Sequence, residues 1–341
     1  MGERTILSQC NSPFVIKMQQ AFTTKTHLHL VLDFCPGGEL FFHLHRSGRF
    51  PEPVAKFYFC EILLGIEYLH AQDVVYRDLK PENILVDIDG HVRITDFGLS
   101  KTGIGKDDLT SSFCGSPEYM SPEMLASNAH GRMVDFYSLG AILYEMIVGL
   151  PPLYSSNREV MFNNIMYKSV QYPRHISEEA KSIIRGLLIK NPNKRLGSMR
   201  GVEELKEHPF CAGVNWGKLV DKSVTAPIRP SFRKSNFEAE AAFMKGEQID
   251  SMSSQHLGAV NEPLSAYLQL PNTPHKANRD FADRGACSGP FNGYSFYSSR
   301  SPERDREFPE VVASLQDAGF LGKGSDSALA GMMLENGHTE T

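Results

Sequence analysis

Apolar and polar residues are distributed along the start of the chain in a way that predicts a β-hairpin followed by a short helix. Two apolar runs, residues 14–22 and 27–34, are separated by the polar residues 23–26, which is typical of two strands joined by a turn. Residues 35–38 (CPGG) then interrupt regular structure. Residues 39–46 predict a short helix whose apolar side carries Leu40, Phe41 and Leu44.

Longer apolar stripes predict a helical portion after the hairpin. Residues 52–71 place apolar side chains three or four positions apart on more than one side, so we expect a buried helix there. Residues 84–87 and 91–95 predict two short strands. Helical spacing returns in residues 134–149 and 177–190, so the chain continues mainly with helices.

The character of the sequence changes after about residue 225. Residues 251–341 are rich in Ser and Gly and show little sustained periodicity, which predicts a tail that is flexible unless it docks on another surface. Residues 291–296 (FNGYSF) place three aromatic residues in six positions of this tail. Because such a cluster is unfavourable in water, we expect it to dock.

The composition is that of an ordinary globular protein and excludes several classes. Hydrophobic residues make up 41% of the 341 residues and charged residues 22%, which excludes collagen-like and wholly disordered chains. The net charge of −5 argues against nucleic acid as a partner, since binding to phosphates needs a basic surface. The six cysteines are scattered without a C-x-x-C pair, which argues against a zinc site or a disulfide framework.

The sequence pattern shows neither a membrane-spanning segment nor a signal peptide. The most apolar stretch, residues 134–150, contains Asp135, Ser138 and Glu145, so it predicts a buried helix and no membrane segment. The N-terminus lacks the positive-then-apolar pattern of a signal peptide. We therefore expect a soluble protein located in the cytoplasm, with the nucleus as a second location.

The chemistry is concentrated in residues 76–83 (YRDLKPEN) and in the Asp96-Phe97-Gly98 triplet that follows. Phosphoryl transfer needs a carboxylate that orients the attacking hydroxyl, a cation beside the transferring phosphate, and oxygen ligands for Mg²⁺. Asp78 and Lys80 match the first two roles. Asn83 and Asp96 match the metal ligands, so these four residues are the predicted catalytic group.

These two motifs resemble those of the AGC group of serine/threonine protein kinases, which includes protein kinase B and the ribosomal-protein kinases. Tyr76 stands where most kinases have His, as is frequent in this group, and Lys80 two residues after Asp78 is the serine/threonine form. Ser116 occupies the position whose hydroxyl, in the family, contacts the catalytic Asp and Lys and the substrate.

The resemblance implies an α+β, bilobal protein-kinase-like fold with a truncated β N-lobe. Residues 1–34 would be the N-lobe remnant, which holds the end of one helix and the hairpin. Residues 35–210 would form a complete, mainly helical C-lobe, and residues 211–300 a C-terminal regulatory tail. Residues 301–341 are expected to be disordered.

The resemblance also implies that the protein transfers the γ-phosphate of ATP to protein substrates, with ATP and Mg²⁺ as cofactors. Asp33 and Cys35 would bind adenine through the hinge backbone, with Leu32 as gatekeeper and Leu85 beneath the ring. The residues assigned to the nucleotide are Asp33, Cys35, Glu82, Asn83, Leu85 and Asp96.

Basic substrates are suggested by three acids, Glu39, Glu82 and Glu145, at positions that receive arginines in basophilic members of the group. Carboxylate–guanidinium pairs are bidentate and directional, so they can specify sequence. We predict a preference for Arg-x-x-Ser/Thr sites. The alternative is that each acid is an ordinary solvated surface charge.

Regulation by an upstream activating kinase is implied at three phosphosites. Ser112 is the expected site in the activation segment (residues 96–123), where a phosphate would pair with Arg77 and Lys101. Thr273 and Ser295 match the turn motif and the hydrophobic motif of the tail. The alternative for Ser112 is an ordinary loop serine.

The resemblance assigns structural roles to a further group of residues. Glu123 would pair with Arg195, and Asp135 would anchor the backbone of the catalytic loop. Leu7, Met18, Tyr76 and Phe97 would form a regulatory hydrophobic stack, and Phe237 loosely matches an aromatic residue at the nucleotide mouth.

The sequence departs from the family at its start. It contains no G-x-G-x-x-G loop and no strand lysine to pair with the phosphates, although Glu3 aligns with the helix glutamate that pairs with that lysine. We expect the chain to be a fragment of an active kinase, with weak or absent Mg-ATP binding and negligible activity on its own. The alternative is a non-catalytic protein that binds kinase partners or substrates. In either case, the hairpin would lack covering strands and would favour aggregation.

Overall fold

Three short two-stranded sheets lie in the first part of the described chain, up to residue 102, and the rest of its regular structure is helical. The structure is a computed structural model, and it describes residues 2–24, 26–230, 317 and 319, all of which belong to one compact unit. The strands are β1 (Met18–Thr23), β2 (Leu28–Leu32), β3 (Val74–Val75), β4 (Ile84–Val86), β5 (Val92–Ile94) and β6 (Lys101–Thr102). The helices are α1 (Gly2–Gln9), α2 (Leu40–Ser47), α3 (Glu52–Ala71), α4 (Pro122–Leu125), α5 (Met133–Val148), α6 (Arg158–Tyr167), α7 (Glu178–Leu187), α8 (Val202–Lys206) and α9 (Trp216–Val220).

The predicted hairpin is confirmed, since β1 and β2 pair antiparallel from Met18↔Leu32 to Thr23↔Leu28. The prediction that its first strand begins at residue 14 was wrong. The segment 14–16 instead bonds to β5, where the N–H of Ile16 donates to Ile94 O at 2.9 Å. These residues are apolar because they are buried in the core, and a buried connector has the same apolar signature as a strand.

Helix α3 spans residues 52–71 as predicted and is buried on more than one side. It packs against α5 and against two strands, β3 just before residues 76–83 and β5 just before Asp96. Its one buried carboxylate, Glu61, accepts a hydrogen bond from the N–H of Val92 at 2.9 Å and contacts His91. The helix therefore supports the strands beside the site through both its apolar and its polar residues.

The two-turn helix α2 begins at Leu40, one residue after the predicted start, and buries Leu40, Phe42 and Leu44. The assignment of Phe41 to its apolar side was wrong, because Phe41 is only half-buried and lies with its ring 5.9 Å from that of His45. The helix packs on two neighbours, the turn Pro81–Asn83 and β4, so it buries side chains on more than one of its sides.

Helices α5 and α7 confirm the two later helical patterns. α7 begins after Ser177, whose hydroxyl accepts from the N–H of Ala180 at 3.1 Å, and it ends at Leu187, three residues before the predicted end. α5 is buried along almost its whole length and packs against both α3 and α7. Among the described residues, none of the helices has the length and apolar character needed to cross a membrane.

The predicted strands after α3 are confirmed in shorter form. β4 and β5 pair antiparallel across a turn at residues 87–90, and β3 pairs with β6. Residues 76–83 therefore begin directly after β3, which belongs to one short sheet, and end directly before β4, which belongs to another. This arrangement fixes both ends of the loop that carries the predicted catalytic residues.

Candidate active site

The carboxylate of Asp78 is held on both of its oxygens by neighbouring side chains and is only 7% exposed. Its Oδ1 accepts hydrogen bonds from the N–H and the hydroxyl of Ser116, at 3.0 and 3.1 Å. Its Oδ2 accepts from Asn83 Nδ2 at 3.1 Å and lies 3.3 Å from Lys80 Nζ. The orientation of the carboxylate is therefore set by its neighbours before any substrate binds.

Lys80 connects Asp78 with Ser116. Its ammonium donates to Ser116 Oγ at 3.0 Å in addition to its ion pair with Asp78. The side chain is partly open to solvent, at 18% of its full exposure. A positive charge thus lies directly beside the predicted base, where it can neutralise an incoming phosphate.

The backbone of the loop is anchored from below by Asp135 of α5, which is fully buried. Its two oxygens accept the N–H groups of Tyr76 at 2.9 Å and Arg77 at 2.8 Å, and His70 Nε2 lies 2.7 Å from Oδ2. Arg77 has a φ of +70°, which is unusual for a residue with a side chain. The Asp135 contacts compensate for the cost of holding the loop in this conformation.

Asn83 and Asp96 lie next to each other because the N–H of Thr95 donates to the backbone oxygen of Asn83 at 3.0 Å. The amide nitrogen of Asn83 is occupied by Asp78, which leaves its amide oxygen as the ligand atom. Asp96 has a φ of +56°, accepts from the N–H of Gly98 at 3.2 Å and exposes its carboxylate. This all-oxygen donor set fits Mg²⁺.

The described residues contain no group of three or more His, Cys, Asp or Glu side chains placed to hold a metal. Magnesium in phosphoryl-transfer sites is typically bound by one or two carboxylates, with water and substrate phosphates completing its coordination. The pair Asn83 and Asp96 is consistent with that kind of site, in which most ligands come from the substrate.

The predicted hinge residues, Asp33 and Cys35, lie just after the end of β2. The carboxylate of Asp33 accepts from Arg93 Nη1 at 2.9 Å and from Gln19 Nε2 at 2.6 Å, which connects the hinge to β5 and β1. Burial is the largest cause that raises the pKa of the Cys35 thiol, to about 11, so this thiol is neutral at physiological pH. Leu85 forms an isolated bridge with Glu39, which directly precedes α2.

The negative charge of Glu82 acts on Glu145, and both carboxyl groups are largely removed from solvent. Burial, followed by the charges of Glu82 and Glu118, raises the pKa of Glu145 to about 8. Tyr119 OH donates to Glu145 Oε2 at 2.6 Å. Burial also raises the pKa of Glu82, whose Oε2 is buried without a hydrogen-bond partner. Glu82, Glu118, Tyr119 and Glu145 together form an acidic cluster.

Sequence reasoning missed Glu118 and Tyr119. They follow Ser116 by two and three residues, but Tyr119 and Glu145 are 26 residues apart and meet only because the turn Pro117–Tyr119 packs on α5. Their adjacency to Ser116 was the one available signal.

Arg77 connects the catalytic loop with the activation segment. Its Nη1 donates to Ser112 Oγ at 2.7 Å and its Nε donates to the backbone oxygen of Leu99 at 2.7 Å. Lys101, the other expected partner of a phosphate at Ser112, lies exposed on β6 and makes no hydrogen bond to Ser112 within the described residues. The structure thus brings one of the two expected cations to the predicted phosphosite.

Two further pairs of contacting residues join the activation segment to the protein core. Arg195 makes a bidentate ion pair with Glu123, with N–O distances of 2.7 and 2.8 Å, and Arg195 is almost fully buried. The rings of Tyr76 and Phe97 meet edge to face with centroids 5.3 Å apart.

Some predicted residues add nothing to the geometry of the site. Glu3 lies half-buried in α1. Thr273 and Ser295, the two phosphosites of the tail, and Phe237 lie outside the described residues.

Comparison with known proteins places this geometry in a family. The family model described as protein kinase domain matches residues 1–211. The chain is 42% identical over 278 residues to the serine/threonine-protein kinase sck1 of Schizosaccharomyces pombe, which covers 79% of the chain and 40% of that protein. It is 47% identical over 253 residues to protein kinase 2 of Dictyostelium discoideum, covering 74% of the chain and 52% of that protein.

A vertebrate relative gives the same result. The chain is 45% identical over 232 residues to the serine/threonine-protein kinase Sgk1 of Xenopus tropicalis, covering 68% of the chain and 56% of that protein. The chain thus spans between 40% and 56% of the length of these three relatives. The alignment with sck1 is longer than the 211 residues of the family match, so the similarity extends into the tail.

Proposed function

The chain belongs to the protein kinase family, among its AGC-type serine/threonine kinases, and from this premise we propose that it transfers the γ-phosphate of ATP to serine or threonine in Arg-containing protein sites. The observation that carries the proposal is the orientation of Asp78. Its carboxylate is fixed by Ser116, Asn83 and Lys80, so it is positioned to accept the proton of an attacking hydroxyl.

The phosphate and the metal would be handled by residues around Asp78. Lys80 would neutralise charge on the transferred phosphate, and its contact with Ser116 holds it in place. Asn83 and Asp96 would hold Mg²⁺, which, when bound, neutralises charge on the phosphate oxygens of ATP. The hinge at Asp33 and Cys35 would bind adenine, with Leu85 against the ring.

The preference for arginine is supported by the acidic cluster. An unpartnered buried carboxylate oxygen on Glu82 is costly, and a guanidinium group from a substrate would remove that cost. Glu145 would bind the same group once it is ionised. Glu39 is proposed as a further substrate acid on its sequence position.

Regulation by phosphorylation is proposed at Ser112, Thr273 and Ser295, with a separate upstream kinase as the partner. For Ser112 the support is the 2.7 Å contact from Arg77, a residue of the catalytic loop whose backbone N–H donates to Asp135 of α5. A phosphate there would gain a charge-assisted bond to Arg77 and would order the activation segment.

The test is phosphorylation of an Arg-x-x-Ser peptide, followed by mass spectrometry. It is run on the 341-residue chain and on a fusion that places the Gly-rich loop and lysine strand of a relative ahead of residue 1. We expect negligible phosphorylation by the chain alone and clear phosphorylation by the fusion. Asp78→Asn keeps the shape but removes the base, and should lower the rate of the fusion by at least about 100-fold.

The matched control is Asp89→Asn, which changes an exposed carboxylate in the turn between β4 and β5 and should leave the rate unchanged. A fusion that folds and binds Mg-ATP, yet phosphorylates no peptide, would contradict the proposal. That result would favour the alternative of a non-catalytic protein that binds kinase partners or substrates.

A further inference from the structure

Lys56 of α3 and the turn after Cys211 form a contact surface away from the predicted catalytic residues. Lys56 Nζ donates to the backbone oxygen of Ala212 at 3.0 Å and to that of Gly319 at 3.1 Å. Lys56 and Gly319 are 263 residues apart in sequence, so this hydrogen bond connects the C-terminal segment to the first turns of a core helix.

The backbone of Gly319 lies directly against that of Gly213. A Cβ atom built on Gly319 would be 1.7 Å from Gly213 O and 2.9 Å from Val214 N, distances that no side chain can occupy. Gly319 also has a φ of +80°, in the left-handed region that favours glycine. For both reasons, glycine is required at position 319 while the contact exists.

Two properties of the surface indicate that it is built to receive a segment of chain. Burial is the largest cause that lowers the pKa of Lys56, and a partly desolvated ammonium gains from the two carbonyl oxygens it contacts. A pocket of about 230 Å³ adjoins Lys56 and is lined in part by Pro53 and Phe210, which offers apolar area beside the polar contact.

We propose that Lys56, Ala212 and Gly213 form a docking surface for the chain's own C-terminal segment around Gly319. Recognition is through the backbone, because Lys56 binds a carbonyl oxygen and Gly213 accepts only a residue without a side chain. The contact is made on the N-terminal part of α3, whereas the catalytic loop follows the C-terminal end of that helix. The proposal does not depend on the proposed kinase activity.

The experiment is hydrogen–deuterium exchange on the full 341-residue chain, read in a peptide covering residues 311–320. We expect this peptide to exchange about tenfold more slowly than residues 331–341, since docking protects its amides. Gly319→Val cannot dock and should remove the protection. Lys56→Met removes the donor while keeping the length of the side chain, and should do the same.

Matched controls are Gly331→Val, in the same tail, and Lys181→Met, an α7 lysine that pairs with Glu178. Both should leave the exchange of residues 311–320 unchanged. The proposal is overturned if the wild-type peptide exchanges as fast as residues 331–341, or if Gly319→Val leaves its exchange unaltered. It is also overturned if tenfold dilution removes the protection, because the segment would then come from a second copy.

Discussion

The titration of a single residue, Glu145, should make the proposed binding of arginine depend on pH. Burial raises its pKa to about 8, so the carboxyl is mostly neutral at pH 7 and mostly charged at pH 9, while arginine stays cationic throughout. Only the charged form attracts a guanidinium group. We therefore expect the affinity for an Arg-x-x-Ser peptide to rise about tenfold from pH 7 to pH 9, measured by isothermal titration calorimetry.

Two comparisons isolate the contribution of Glu145. Glu145→Gln imitates the neutral carboxyl and should make the affinity independent of pH over this range. A peptide with Ala in place of Arg should bind equally weakly at both values. If the Ala peptide gained as much affinity as the Arg peptide, the pH effect would have another origin.

For single residues, the contacts of the predicted catalytic group could be predicted where its members lie close together in the sequence. Asp78, Lys80 and Asn83 lie within six residues, so their contacts follow from one short loop. Tyr119 was not predictable as a partner of Glu145, because the contact depends on how the activation segment packs on α5. The pairing of Lys101 with a phosphate on Ser112 stays a prediction, because Lys101 lies exposed on β6 and Ser112 is unmodified in the structure.

Between elements, the ion pair of Arg195 and Glu123 joins α4 at the end of the activation segment to the chain after α7. Arg195→Met would leave Glu123 as a buried charge without its partner, which typically costs about 3 to 5 kcal/mol of unfolding free energy. Arg195 also donates to the backbone oxygen of Met133 at 2.6 Å, so that acceptor would lose its bond as well. Urea denaturation followed by circular dichroism measures the loss.

The control is Arg200→Met, which removes an equally bidentate pair with Glu207 whose two side chains are more than half exposed. Exposed pairs contribute little, so the urea midpoint should stay nearly unchanged. Equal losses in the two variants would show that burial does not determine the contribution of the pair.

Elements were predictable where the apolar pattern is long and follows one period. The 20-residue helix α3 was predicted at both ends, because its repeat is sustained and Pro53 fits its first turn. The segment 14–16 and Phe41 were misjudged, since each belongs to a short run whose surroundings are set by distant elements, β5 in one case and the turn at 81–83 with β4 in the other. Short runs do not carry enough periods to separate a strand from a buried connector.

Across the whole molecule, buried and exposed apolar area are unevenly divided. The helical portion encloses its apolar side chains around α3 and α5, whereas the hairpin of β1 and β2 exposes several. In the described residues this hairpin is a separate two-stranded sheet. Phe22 and Val31 lie on one face of it by their register, and they are 50% and 41% exposed. A two-stranded sheet has open edges, and apolar side chains exposed beside those edges favour association with another chain.

We therefore expect the 38.1 kDa chain to self-associate through this face at micromolar concentration, with a weight-average mass that rises with concentration in sedimentation equilibrium. The double variant Phe22→Thr, Val31→Thr keeps strand propensity but removes apolar area, so its mass should stay close to that of the monomer. Tyr167→Thr is the control, because Tyr167 is 77% exposed but lies at the end of α6, away from the hairpin. A wild-type chain that stays monomeric, or a control that prevents association equally well, would show that the hairpin face is not the cause.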